Sequence, residues 1–161
     1  MIIITIIGLL LLIALDQVSK YWLSSYLIQN GDIYLWKNVL HFTYVENKGA
    51  AFGIFQGKTA FLLIIVACVI LTIPFIYMKL PKDKWGDIAR FALVFITAGA
   101  IGNFIDRLLF GYVRDFIYFV PINFPVFNVA DILVVGGVGI LALSLFYSDT
   151  KEMQKEIEGE K

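Results

Sequence analysis

Four aspartates set in apolar surroundings are the residues of this sequence best placed to do chemistry. Asp16, Asp106, Asp115 and Asp131 each lie at or just beyond the end of a long apolar run. Lys20 follows Asp16 by one helical turn, Asn103 precedes Asp106 by one, and Asn128 precedes Asp131 by one, so each pair shares a helical face. Arg107 stands beside Asp106. Ionisable groups at membrane depth are costly and by default mark a functional site. Two carboxyls held close together cannot both ionise, so one keeps a proton while the other acts as a base. Such a pair can take a proton from water as it attacks a peptide carbonyl, then protonate the developing oxyanion and the departing amine. Its titration would belong to the pair and not to either residue.

The sequence offers no other hydrolytic device. His41 is the single histidine and Cys68 the single cysteine, the latter in the middle of an apolar run, so Ser–His and Cys–His pairs are not available. The same counts exclude an internal disulfide and a multi-Cys or His-based metal cluster, and no metal or cofactor is expected. Spacing leaves open whether Asp106 or Asp115 partners Asp131. It also allows bland readings, in which Asp16 and Lys20 form a headgroup ion pair and Asp106 and Arg107 neutralise each other. Lys20 and Arg107, with Lys48 or Arg114, are too few to serve all four acids, so at least one acid should lack a cationic partner.

The elements that must position these groups are helices in lipid. Of 161 residues 60% are hydrophobic and 16% charged, with mean hydropathy +0.82, whereas soluble domains are nearer half apolar and a quarter charged. The excess falls in blocks long enough to span a bilayer, which takes about 20 residues. We expect helices over about 2–23, 59–78, 88–109 and 128–147 in one integral membrane domain covering 1–161. Thirteen basic residues balance thirteen acidic ones, so nucleic acid is not an expected partner. The N-terminus has neither a basic n-region nor an Ala-x-Ala site, and the first run is read as a retained helix.

Between the spans, 24–58 and 110–127 are too polar to cross. Residues 32–36 and 39–45 alternate as two short strands, and 46–55, rich in small residues and aromatics, suits a membrane interface. The second excursion carries Asp115. Gly99 and Gly102, and Gly136, Gly137 and Gly139, are expected to let helices approach closely. Four crossings place both termini on one side. The tight cluster Lys79, Lys82, Lys84 and Arg90 orients that side, with the loop 79–87 and the tail 148–161, to the cytoplasm. Every hard-to-explain polar group then falls in the outer leaflet.

Asp16-Gln17-x-x-Lys20, Asn47-x-Gly49-Ala50-Ala51-Phe52, Gly99-Ala100-x-Gly102-Asn103-x-x-Asp106-Arg107, Val113-x-Asp115-Phe116 and Phe127-Asn128-x-Ala130-Asp131 resemble, in the same order, the five motif regions of the bacterial lipoprotein signal peptidases, signal peptidase II. The likeness covers essentially the whole chain. It implies an all-α membrane protein of four transmembrane helices with a small extracytoplasmic β-sheet and interfacial-helix cap. The implied activity is that of an aspartic endopeptidase of the bacterial cytoplasmic membrane, without metal or cofactor. It would act as a monomer among membrane lipid and remove the signal peptide of diacylglyceryl-modified prolipoproteins, cutting before the lipid-modified cysteine. The resemblance assigns catalysis to Asp115 and Asp131. Asp16, Lys20, Asn47, Asn103, Asp106, Arg107 and Asn128 match its supporting polar positions. Arg114 departs from the pattern, which commonly has a small aliphatic residue there. In an extended segment it should point away from Asp115, its charge available to alter the acid's ionisation or to hold lipid phosphate. Two other classes use intramembrane acids or polar helix ends. A proton- or ion-coupled carrier would need acids in a path across the membrane, and a small assembly subunit would use its polar ends to bind a partner.

Overall fold

The structure, a computed structural model, describes residues 2–50 and 54–159, and of 151–158 the backbone alone. Helix α1 spans Ile2–Asn30, α2 Thr59–Lys79, α3 Lys84–Phe110 and α4 Val129–Gly159; strands β1, β2 and β3 span Ile33–Trp36, Leu40–Asn47 and Val113–Phe119. All four helices are long and apolar enough to cross a membrane. Their outward faces carry exposed Ile3, Leu11, Ile64, Leu71, Leu108 and Val135, a surface that suits hydrocarbon and not water. The protein is a multi-pass membrane protein.

Helix ends follow caps more than polarity. Helix α1 runs past Leu23 through a polar stretch and stops where Gly31, at φ 81, takes the left-handed conformation and its N–H bonds to Leu27 O at 2.9 Å. Helix α3 begins at Lys84 and not near 88, because the Asp83 side chain accepts from the Gly86 N–H at 2.7 Å. It ends at Gly111, also left-handed, bonded to Arg107 O. Helix α4 continues through the charged tail to Gly159.

The sheet is antiparallel in the order β1-β2-β3. Residues 110–127, expected as a polar excursion with an extended part, supply its third strand, and β2 runs two residues beyond Val45. That extension sets Asn47 opposite Val113 and Val45 opposite Asp115. Phe116 packs edge-on against Phe42 beneath the sheet. Phe127 pairs with Ile117 in both directions, which delivers Asn128 to the head of α4. Residues 54–57 form turns; 51–53, where an interfacial helix and motif residues Ala51 and Phe52 would fall, lie outside the described residues.

Helices α3 and α4 close on each other through small residues. A Cβ on Gly99 would lie 2.3 Å from Ala130 O, and one on Gly137 would lie 2.9 Å from Ala92 O. Gly136 and Gly139 do not join this seam, since a Cβ on either meets open space.

Candidate active site

Strand β3 presents Asp115 and the first turn of α4 presents Asp131, and both line one cavity of about 900 Å³. Its polar end adds Asn47, Asn103 and Arg107; its apolar end runs between the helices along Val66, Val134 and Val135. Asn128 opens α4 with a reciprocal cap. The Asp131 N–H donates to Asn128 Oδ1 at 3.1 Å, and the Asn128 N–H donates to Asp131 Oδ2 at 3.1 Å. With its carbonyl so engaged, the Asn128 amide group donates to Asp115 Oδ1 at 2.6 Å. One residue therefore ties both carboxyls together, its side-chain amide holding Asp115 and its backbone N–H holding Asp131. Asn47 donates to Asp115 Oδ2 at 2.9 Å, and Asn103 donates to Asp131 Oδ1 at 2.8 Å.

All the donors on these carboxyls are neutral amides and backbone N–H groups. Asp115 is almost wholly buried. Burial, and next the charge of Asp131, push its pKa from 3.8 up to about 7 against the opposing pull of Asn47, Asn128 and Lys20. Near neutral pH the pair can hold one proton and supply one base.

Behind the acids lies a second polar layer that the cavity does not reach. Lys20 bridges to Asp16 at 2.9 Å and stands 3.8 Å from Asp106, all three fully buried. Asp16 also accepts from the Ala130 N–H at 2.9 Å. A Cβ on Gly102 would meet Asp16 Oδ2 at 2.3 Å, so only glycine lets that carboxylate through to α4. Lys20 reaches forward to Asn103 Oδ1 at 2.9 Å, which orients the amide that serves Asp131.

Arg114 closes this layer. Its Nε and Nη2 grip Asp106 at 3.0 and 2.8 Å, and its backbone N–H donates to the same carboxylate at 3.0 Å. Gln17 fills the remaining gap, donating to Asp106, Asp16 and Gly102 O and accepting from Arg114. Gln17 and Arg114 were not singled out as site residues from sequence. Strand alternation was the signal for Arg114, since it puts residue 114 on the face opposite residue 115.

Asp106 and Arg107 do not neutralise each other. Asp106 faces Lys20 and Arg114, whereas Arg107 donates to Gly49 O at 2.8 Å and more weakly to Asn103 O, tying the segment after β2 to α3. Of the two acids that spacing left open, Asp115 lines the cavity with Asp131 and Asp106 does not. The four aspartates gather at one end of the bundle and α2 carries no acid, so they trace no path across. Among the described residues no three metal-ligating side chains converge.

Four spanning helices and a cavity with two linked carboxyls fit a membrane-embedded peptidase of the aspartic type. The chain matches the family model described as Signal peptidase (SPase) II over residues 8–147 and belongs to that family. A lipoprotein signal peptidase of Brevibacillus brevis is 44% identical over 140 residues, 87% of this chain and 93% of its own length. One of Clostridium tetani is 41% identical over 153 residues, 93% of this chain and 97% of its own. Two solved bacterial membrane enzyme structures superpose with TM-scores of 0.79 and 0.73 at 30% and 31% identity. They cover 91% and 88% of this chain and 90% and 91% of theirs.

Proposed function

We propose that this chain removes the signal peptide of diacylglyceryl-modified prolipoproteins, cutting before the lipid-modified cysteine, with Asp115 and Asp131 as the catalytic pair. The observation that carries the reading is the one cavity lined by both carboxyls, with Asn128 hydrogen-bonded to Asp115 through its side-chain amide and to Asp131 through its backbone N–H. Asp115, its pKa near 7, holds the shared proton, and Asp131 is the base. Asp131 draws a proton from water attacking the scissile carbonyl. Asp115 protonates the oxyanion; as the C–N bond breaks, the proton on Asp131 passes to the departing amine and Asp115 takes one back from the gem-diol hydroxyl as the new carboxyl forms. Asn47, Asn103 and Asn128 hold the acids. Asp16, Lys20 and Asp106 brace them from behind, and Arg107 secures the segment above the cavity.

The apolar reach of the cavity along Val66, Val134 and Val135 suits a substrate that arrives through membrane lipid. One chain supplies every site residue, which supports action as a monomer. The basic turn at Lys79, Lys82 and Lys84 supports cytoplasmic termini and a site at the outer leaflet. The test is Asp115→Asn and Asp131→Asn in native membranes with a diacylated prolipoprotein. Each should lower turnover by at least about 10²–10⁴-fold. Near-wild-type turnover by either variant refutes the assignment.

A further inference from the structure

The end of the bundle away from the acids contains a second cavity, of about 460 Å³, between α1, the end of α2 and the start of α3. Along α3 it runs from Asp87 to Phe95, about 12 Å at 1.5 Å per residue. Its polarity is graded. One end has the Arg90 guanidinium, Asp87 and the Tyr77 hydroxyl, which is 3.1 Å from the Thr5 hydroxyl. The other end, deeper in the bundle, is Leu11, Leu12, Val94 and Phe95. Gly8 lies in its wall, and a Cβ added there meets nothing within 4 Å.

Arg90 is buried and organises the mouth. It donates to Asp87 at 2.9 Å and to Leu80 O at 2.5 Å and lies over the Tyr77 ring, so the 79–83 turn is fixed against α3. Asp83 is used to cap α3 and Asp87 is paired with Arg90. Lys79, Lys82 and Lys84 stand exposed in and beside that turn, Lys84 over the Trp85 ring. Over residues 79–90 four basic residues stand against two acids, an excess of about +2 on the segment that adjoins the cavity.

We propose that this groove binds one anionic glycerophospholipid, with an acyl chain along Gly8, Leu12 and Phe95 and the phosphate among Lys79, Lys82 and Lys84. Basic pockets between membrane helices take anionic headgroups in this way. An apolar-lined opening onto hydrocarbon is a poor place for water, which needs several polar partners. The bound chain would complete the packing of α1 against α3 below Asp16 without touching the acids.

The test is native mass spectrometry of the full chain in detergent, titrated with dioleoyl phosphatidylglycerol and with dioleoyl phosphatidylcholine. Wild type should hold one phosphatidylglycerol with a preference of roughly 30-fold, the size that two uncompensated charges give near an anionic headgroup. Gly8→Leu fills the groove and should lose the bound lipid. The triple variant Lys79→Gln, Lys82→Gln, Lys84→Gln leaves the groove open and should keep a lipid but lose the preference. Equal binding of the two lipids to wild type overturns the proposal. So does undiminished phosphatidylglycerol selectivity in either variant, which would mark an annular contact elsewhere on the bundle.

Discussion

The assignment of the proton to Asp115 can be tested by removing one neutral donor. Asn47 Nδ2 donates to Asp115 Oδ2 at 2.9 Å, a bond that favours the ionised carboxylate. Asn47→Leu keeps the volume and deletes the donor. A hydrogen bond to a charged group is worth about 1.5–3 kcal/mol, and one pKa step is about 1.36 kcal/mol. The Asp115 pKa, near 7 in the native site, should therefore climb by about 1–2 units. The sign is fixed: losing a bond to the charged form makes the proton harder to remove. With Asp115 as the acid, the protonated and competent form persists to higher pH. The alkaline limb of kcat/KM, which reports groups of the free enzyme, should move up by that amount. Asn47 Oδ1 also accepts from the Gly49 N–H at 3.0 Å, so some fall in rate is expected, and the position of the limb is the read-out. An alkaline limb that stays in place or moves down refutes the reasoning. An acid limb that climbs instead makes Asp115 the base and reverses the roles.

The same shift predicts how stability depends on pH. Asp115 binds its proton more tightly folded than unfolded, so its contribution is complete below about pH 4 and is lost as pH rises through about 7. Three units correspond to about 4 kcal/mol; the thermal midpoint in detergent should be higher at pH 5 than at pH 8, and Asp115→Asn should flatten the difference. Arg114→Met strands the fully buried Asp106 with Lys20 at 3.8 Å and should cost about 3–5 kcal/mol. Adding Asp106→Asn should recover part of that loss, and strictly additive losses in thermal unfolding would refute the pairing. Gly99→Ala places a Cβ against the Ala130 carbonyl and should cost about 1–3 kcal/mol, with a fall in turnover as α4 carries Asn128 and Asp131 away. Gly139→Ala, with open space around it, should leave both measurements at or slightly above wild type.

The four spans were legible because the apolar runs are continuous; their ends were not. Nothing in hydropathy reveals that Gly31 stops α1 seven residues past Leu23, or that Asp83 starts α3 at Lys84, since both ends are set by backbone caps. The gathering of polar groups at one end followed from counting crossings. The contacts within it did not: Asn47 meets Asp115 and Asn103 meets Asp131 only through the fold. One bland alternative fails on helix geometry alone. Asp106 and Arg107 are consecutive on α3, and neighbours one apart on a helix do not face each other, so their mutual neutralisation was the poorer expectation. The cation that serves Asp106 is Arg114, on a strand that hydropathy alone left as an extended segment. Its parity decides the chemistry of the site. Asp16 and Asp106 are balanced by Lys20 and Arg114 in a closed layer, which leaves the two cavity acids to be held by amides. Had β3 been shifted by one residue, the Arg114 guanidinium would face the cavity and Asp115 would face the ion layer. A cation in hydrogen-bond contact would then hold a carboxyl ionised, and the pair would lose the proton that peptide cleavage requires.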